Sequence, residues 1–420
     1  MQIRKDFLRG ISGLLVLWLL IGTLAACSLQ KTPQASDPEA ELRENRFVRQ
    51  QAVGVSAAYH DGILYFVEPC YENVDVKEYE DGIYAATADV RCNLLYYADL
   101  KTGESGVLCG RPGCAHADAS CSAYIQESLE TKLMVYHNRL YRIEYTKHPG
   151  SKARLLSSAL DGSDLVEEKV LDARFASASS GQTFLYQDRI YVCGGFSAVS
   201  NGVPRSSLAV YSEPLKGSGE PQIILEETPD DLGWTIAARI REGNLYFVVS
   251  CQRPRDEDGN EGSIQPSRIY VCHLSDGSLE QLYCGDTDIP DQIESLTVQE
   301  NCLILQGQGI LLRYSLADGS FSPVLTSDTE HATFLADGLI GATGESRNWS
   351  FYRENGDVVY SDQPEPEGIE EKLGFFDEIG VCDGIVCRFV SGKAFRKYLV
   401  TFDPESLQFR VLWENECLEK

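Results

Sequence analysis

The sequence predicts an all-β protein assembled from repeated four-stranded antiparallel units, and three observations carry that prediction. First, a short phrase recurs seven times, a turn residue and a spacer followed by an aliphatic and then an aromatic or aliphatic residue. It reads Gly62-Ile63-Leu64-Tyr65, Asn138-Arg139-Leu140-Tyr141, Asp188-Arg189-Ile190-Tyr191, Gly243-Asn244-Leu245-Tyr246, Asn301-Cys302-Leu303-Ile304, Asp337-Gly338-Leu339-Ile340 and Asp383-Gly384-Ile385-Val386. Second, successive copies stand roughly fifty residues apart, the period of an array of repeats rather than of a single globular core. Third, runs rich in Tyr, Val, Ile and Phe are separated by Asp-Gly or Asn-Gly pairs, the strongest short-range hairpin signal.

Each repeat divides in the same way. In the first, apolar runs cover residues 55–59, 63–67, 94–100 and 106–109. The second gives 133–136, a turn at His137-Asn138-Arg139, then 140–143, 155–160 and a last strand after Asp161-Gly162. The fourth gives 236–240, 245–249, 268–274 and 279–283. The turn between the third and fourth strands recurs as Thr102-Gly103, Asp161-Gly162, Lys216-Gly217, Asp276-Gly277, Asp318-Gly319 and Asn355-Gly356, glycine supplying the positive φ of a tight turn. Only the seventh repeat departs, with Asp403-Pro404-Glu405-Ser406. Seven such meanders close into a seven-bladed β-propeller over residues 46–420, a ring that leaves only short strand edges. Counts of six or eight blades are the alternatives, because the fifth and sixth repeats are short.

In this arrangement the first-to-second and third-to-fourth turns lie on one face of the disc and the remaining connections on the other. The second set varies most, with long loops expected at 68–93 and 250–267 and long inter-blade connections at 110–132, 284–296 and 361–373. Variable loops on a rigid scaffold are where binding usually resides, so function is expected on that loop-rich face.

The ends speak about location. Arg4, Lys5 and Arg9 precede an apolar run from Ile11 to Leu24, and Leu24-Ala25-Ala26-Cys27 follows. A basic start, an apolar stretch and small residues before a cysteine read as a secretory leader over residues 1–26 with a lipid-attachment site at Cys27. Residues 27–45, polar and holding Pro33 and Pro38, read as a tether. Acyl chains contribute about 0.8 kcal/mol per buried CH₂, so two or three of them hold a domain on a membrane. The chain as a whole carries 37 Lys and Arg against 63 Asp and Glu, a net charge of −26. That balance argues against nucleic acid, whose phosphates require cations, and leaves membrane contact to the lipid anchor.

The sharpest chemical feature is Cys109-Gly110-Arg111-Pro112-Gly113-Cys114-Ala115-His116, followed by Cys121. Three thiols and an imidazole on a Pro/Gly-bent segment match the ligand set of a structural zinc ion, which takes four such donors in a tetrahedron and keeps no open position. Disulfide stapling, natural in a secreted chain, and free thiols are the alternatives that stand beside it. Cys70 and Cys92 bracket the long loop of the first repeat and are candidates for a disulfide at its neck. Cys193, Cys251, Cys272 and Cys302 read as small buried hydrophobes. Residues 256–261 form an acidic loop whose glycine is displaced from the calcium-binding pattern, and His60 and His137 are read as equivalent turn residues. The sequence contains no nucleophile elbow, P-loop, dinucleotide fingerprint or HExxH motif.

Tyr97-Ala98-Asp99-Leu100-Lys101-Thr102-Gly103-Glu104 resembles the repeat unit of quinoprotein-like propellers, with Val107 or Leu108 near the place of that unit's docking tryptophan. The chain from Cys27 onward is also similar to propeller-like lipoproteins of Gram-positive anaerobes, whose Cys-x-x-Pro-x-Cys-x-His segment residues 109–121 follow except in the position of Pro112. The resemblance implies the fold and an extracytoplasmic, lipid-anchored location. The functional expectation is a monomeric surface propeller that binds a ligand or an unidentified envelope protein or glycan on its loop-rich face without turnover. The alternative is a carbohydrate-active lyase or glycosidase working in the central funnel.

Overall fold

A computed structural model describes residues 48–415 apart from connecting segments, the longest of them 50–56, 172–181, 252–265 and 364–375. The expected leader and tether, Cys27, Cys251's side chain and the acidic loop at 256–261 lie outside the described residues.

The described strands form seven sheets. Blade 1 contains Ala57–His60, Ile63–Glu78, Tyr84–Asp99 and Ser105–Val107. Blade 2 contains Ser128–Tyr136, Arg139–Thr146, Arg154–Ala159 and Val166–Val170. Blade 3 has Gln182–Tyr186, Arg189–Ser200, Val203–Pro214 and Gln222–Glu227. Blade 4 has Trp234–Arg241, Asn244–Cys251, Ser267–His273 and Ser278–Gly285. Blade 5 comprises Ile293–Val298, Cys302–Gly307, Ile310–Ser315 and Phe321–Pro323. Blade 6 comprises His331–Phe334, Leu339–Thr343, Trp349–Arg353 and Val358–Gln363. Blade 7 comprises Phe376–Cys382, Ile385–Ser391, Lys397–Asp403 and Gln408–Glu414. Each is an antiparallel meander in chain order, and the first strands of blades 1 to 5 approach one another in turn. The protein is therefore a seven-bladed β-propeller, all β among the described residues, and the alternatives of six and eight blades fall away.

Turn chemistry accounts for the meanders. Asp61-Gly62, His137-Asn138, Gln187-Asp188 and Glu242-Gly243 join first to second strands with both residues at positive φ, the type I′ geometry whose twist matches that of the flanking strands. His137 sits in its turn, whereas His60 is the last residue of a strand paired with Ile63, so the two histidines are not equivalent. The shift arises because the recurring phrase aligns Asp61, not His60, with His137. At the third-to-fourth turns, the carboxylates of Asp161 and Asp276 each accept the backbone N–H two residues on at 2.9 Å, and Asp318 does so at 3.1 Å. These are Asx turns, which fix the loop locally before any tertiary contact forms.

Residues expected as a loop at 68–93 largely continue the ladder, since Ile63–Glu78 pairs with Tyr84–Asp99 along its length. The second and third strands of blade 3 likewise run on together to Ser200 and Val203. Val74 and Cys92 of this hairpin are buried, but polar residues such as Glu72, Asn73 and Asp75 break up the apolar alternation that marks a strand.

The core lies between blades as well as within them. Blades 2 and 3 share a cluster that includes Tyr136, Tyr141, Ile143, Leu155, Ile190 and Tyr211. Partly buried charge crosses the seams too: Arg268 of blade 4 donates two hydrogen bonds to Glu227 of blade 3, at 2.6 and 2.7 Å. This bidentate geometry orients the two blades as well as attracting them.

The ring closes by pairing and by packing. Val48–Arg49 pairs with the first strand of blade 7, so a strand that precedes blade 1 joins the sheet of the last blade. Trp413 of blade 7 also meets Phe66 and Tyr96 of blade 1 edge-on at 5.0 Å each. Such aromatic pairs contribute about 0.5–1.5 kcal/mol beyond the area they bury. Ser105 Oγ donates to the Leu412 carbonyl at 2.9 Å, and Lys397 Nζ lies 3.2 Å from the fully buried carboxylate of Glu68.

Candidate metal centre

The cysteine-rich segment is an excursion from the outermost strand of blade 1. The Leu95 carbonyl accepts the N–H of Leu108 at 2.8 Å, and the Leu95 N–H donates to the Ala123 carbonyl at 2.9 Å. Tyr124–Ile125 then pairs with Leu94 and Asn93, resuming the strand that Ser105–Val107 began. Residues 109–122 thus leave and re-enter one edge strand at a single residue of its neighbour. They were expected in the connection between blades, on the loop-rich face; the register places them at the edge of blade 1 instead. An outer strand has only one ladder to maintain, so it tolerates such an interruption.

Local turns aim the ligands. The N–H of Cys109 donates to Val107, that of Cys114 to Arg111 and that of Cys121 to Asp118. Gly113 and His116 both take positive φ, and Arg111 Nη2 donates to the Ser120 carbonyl across the excursion. Apolar packing holds the base: Cys121, Ala123 and Ile125 are buried in a cluster with Leu133, Val135 and Leu140 of blade 2, against which Cys109 and Cys114 also pack.

Blade 2 presses on the same segment from the other side. A Cβ on Gly162 would stand 2.6 Å from the Leu108 carbonyl oxygen, so only glycine allows that turn to come so close. Arg142, buried in blade 2, donates from Nη1 to the Ser122 carbonyl at 2.8 Å while its Nε lies 2.9 Å from the buried Glu144.

The sequence named Cys109, Cys114, His116 and Cys121, and the structure brings all four together. Their ligand atoms lie within 4.8 Å of one another. Cys121 Sγ is 3.5 Å from Cys109 Sγ and 3.2 Å from His116 Nδ1. A tetrahedral zinc with bonds near 2.3 Å to sulfur and 2.0 Å to nitrogen separates its ligand atoms by roughly 3.5–3.8 Å. The cluster could therefore hold a metal ion with movements of about an ångström or less. Burial alone would raise the Cys109 thiol, but the Arg111 N–H and the thiols of Cys121 and Cys114 bring it below its ordinary value. Burial pushes Cys121 the other way, up to about 11.

Cys70 and Cys92 are directly opposed partners in the blade 1 ladder, and both are free thiols. Cys193, Cys272 and Cys302 are buried as expected, with Cys193 and Cys272 inside the cluster shared by blades 3 and 4. Two residues escaped the sequence reading. Arg142 looks like any strand arginine until blade 2 is folded against blade 1, and Arg91 reaches Cys70 only because of an irregularity in the ladder.

No family model matches the chain, and no curated protein matches it. Solved structures do resemble it. A puromycin-hydrolysing peptidase of Mycobacterium tuberculosis is 12% identical, with 89% of this chain and 54% of that one covered at a TM-score of 0.50. A prolyl endopeptidase is 9% identical over 94% of this chain and 54% of its own, at a TM-score of 0.53. A puromycin hydrolase is 11% identical over 91% and 56%, also at 0.53. At these identities the likeness shows the fold. The chain spans about half the length of the solved chains it matches. The expectation of a surface propeller that binds a ligand or envelope partner on its loop-rich face, and its carbohydrate-active alternative, are corrected by this result, because the propellers it resembles belong to peptidases and hydrolases of greater length.

Proposed function

We propose that this chain is the propeller half of a peptidase-type machine, a non-hydrolytic disc that admits peptide substrates to a hydrolytic unit carried on a further domain or a separate chain. One observation carries the reading: the likeness takes in 89–94% of this chain but 54–56% of the matched enzymes. Acyl transfer needs a nucleophile, a base and oxyanion donors in one place. The sequence offers no nucleophile elbow, and the Cys109, Cys114, His116 and Cys121 cluster is a four-donor set that leaves no position for substrate. The test is to titrate the purified chain with labelled tri- to hexapeptides while following their cleavage. Saturable binding without cleavage is expected, together with cleavage once a hydrolase that co-purifies from the source cells is added. A chain that binds no peptide, or that turns over a glycan, overturns the reading.

We further propose that Cys109, Cys114, His116 and Cys121 hold one structural zinc ion that pins the excursion to the seam between blades 1 and 2. Three thiolates and a neutral imidazole around Zn²⁺ carry a net charge of about −1, which the buried Arg142 guanidinium beside Cys121 is placed to offset. Metal analysis should give one zinc per chain, and cobalt substitution should give the thiolate charge-transfer bands of a tetrahedral site. For location, we propose an extracytoplasmic domain held by acylated Cys27; metabolic labelling with palmitate that persists in Cys27→Ser would refute it.

A further inference from the structure

We infer that Cys70 and Cys92 form a thiol–disulfide exchange site on the projecting hairpin of blade 1, with Cys70 the attacking thiolate, Cys92 the resolving thiol and small-molecule disulfides the substrate class. The argument begins with the ladder. Cys70 pairs with Cys92, and Tyr71 pairs with Val90, so Arg91 is the extra residue of a β-bulge. In a regular strand Arg91 would point to the opposite face from Cys92; a bulge re-aims the residue it inserts. Here it brings Arg91 Nη2 to 3.4 Å from Cys70 Sγ. The same guanidinium also interacts with Cys92, so one cation stands beside both sulfurs, with Nη2 within reach of the sulfur that would carry charge.

The two cysteines differ as such a site requires. Cys70 is half-buried and reachable, whereas Cys92 is fully buried. Donation from the Cys92 thiol and the Arg91 charge lower the Cys70 thiol to about 6, against the opposing pull of burial and of Glu72 nearby. Cys92 moves the other way, raised by its donation to Cys70 and by burial. Directly opposed residues of an antiparallel pair have Cα atoms roughly 4.5–5.5 Å apart, inside the range of about 4.4–6.8 Å that a disulfide accepts. Their place in the ladder is therefore one that a disulfide can bridge.

The exchange balances. The Cys70 thiolate attacks one sulfur of a disulfide RSSR; a bond forms from Cys70 Sγ, the RS–SR bond breaks, and RS⁻ leaves to take a proton from water. Cys92 then loses its proton to solvent and attacks Cys70 Sγ, expelling the second RS⁻, which is protonated in turn. Two electrons pass from the pair to RSSR, and the products are the Cys70–Cys92 disulfide and two RSH. The bond would staple the hairpin where it projects past the blade.

The test uses the full metal-loaded chain, glutathione disulfide and peptide mapping. The Cys70–Cys92 linkage should appear before any other pairing, and Cys92→Ala should accumulate a stable glutathione adduct on Cys70. Iodoacetamide labelling of Cys70 against pH should have its midpoint near 6, rising by about one unit or more in Arg91→Gln. Arg91→Lys, which keeps the charge and serves as the folding control, should shift it less. Labelling of Cys70 with the midpoint of an ordinary thiol, about 8.5, or a first linkage between other cysteines, overturns the assignment. Neither outcome depends on whether the chain handles peptides.

Discussion

Residues 109–122 and the Cys70/Cys92 ladder both gather thiols on blade 1, yet the backbone beneath them differs in kind. The first has no regular secondary structure between its two anchoring bonds at Leu95, so its geometry rests on turns, on packing against blade 2 and on whatever its four donors bind. The second sits in a paired sheet, so its geometry exists whether or not the thiols react. The same side chain would therefore serve as a metal donor where the chain needs an external fastener and as a redox group where the ladder already supplies rigidity. A third setting completes the contrast: Cys193 lies fully buried between blades 3 and 4, where burial pushes its thiol well up and leaves it inert.

The largest break in this comparison should come from the metal donors. Cys114→Ser removes one of four donors and should weaken zinc binding at least a thousandfold, about 4 kcal/mol, measured by competition with a chromogenic chelator. Residues 109–122 should then become the first site of limited proteolysis, while the Cys70–Cys92 ladder keeps its labelling pattern. If the excursion resists protease without metal, packing alone holds it and the contrast fails.

Next in size is the base of the ladder. Glu68 stands two residues before Cys70, fully buried against Lys397 of blade 7. Glu68→Ala leaves a largely buried ammonium without this carboxylate, a change that costs roughly 3 kcal/mol in comparable pairs. Thermal unfolding should shift down by several degrees with zinc content unchanged. An unaltered melting curve would mean that the aromatic contacts around Trp413 close the ring unaided.

The smallest effect belongs to the inert cysteines. Cys193→Ala should cost about 1 kcal/mol, the loss of a small apolar group from a packed site. In the native protein Cys193 and Cys272 should stay unlabelled at pH 8 and react only on unfolding. Native labelling at either position would show that the seam between blades 3 and 4 opens.

Much of this was legible in the residues. The recurring phrase, the Asp-Gly turns with their Asx hydrogen bonds and the aliphatic–aromatic strand pairs are local signals, and local signals survive in a string. The ligand set of Cys109, Cys114, His116 and Cys121 was legible for the same reason, being close in sequence. Less legible were segments whose role depends on a distant neighbour. Residues 68–93 read as a loop because polar residues such as Glu72, Asn73 and Asp75 interrupt the apolar period of the hairpin, and residues 109–122 read as an inter-blade connection because nothing local says that Tyr124–Ile125 rejoins the strand left at Val107.

What the chain determined by itself is the repeat and its turns, since these depend on backbone preferences set within a few residues, whereas the count of seven was settled once the sheets were in place. Only the folded ring decided that Trp413 closes onto Phe66, that Arg142 reaches the Ser122 carbonyl and that a bulge turns Arg91 toward Cys70. Those contacts join residues separated by as many as several hundred positions or by one change of register, and their energies arise from burial and charge proximity that exist only once the blades are packed.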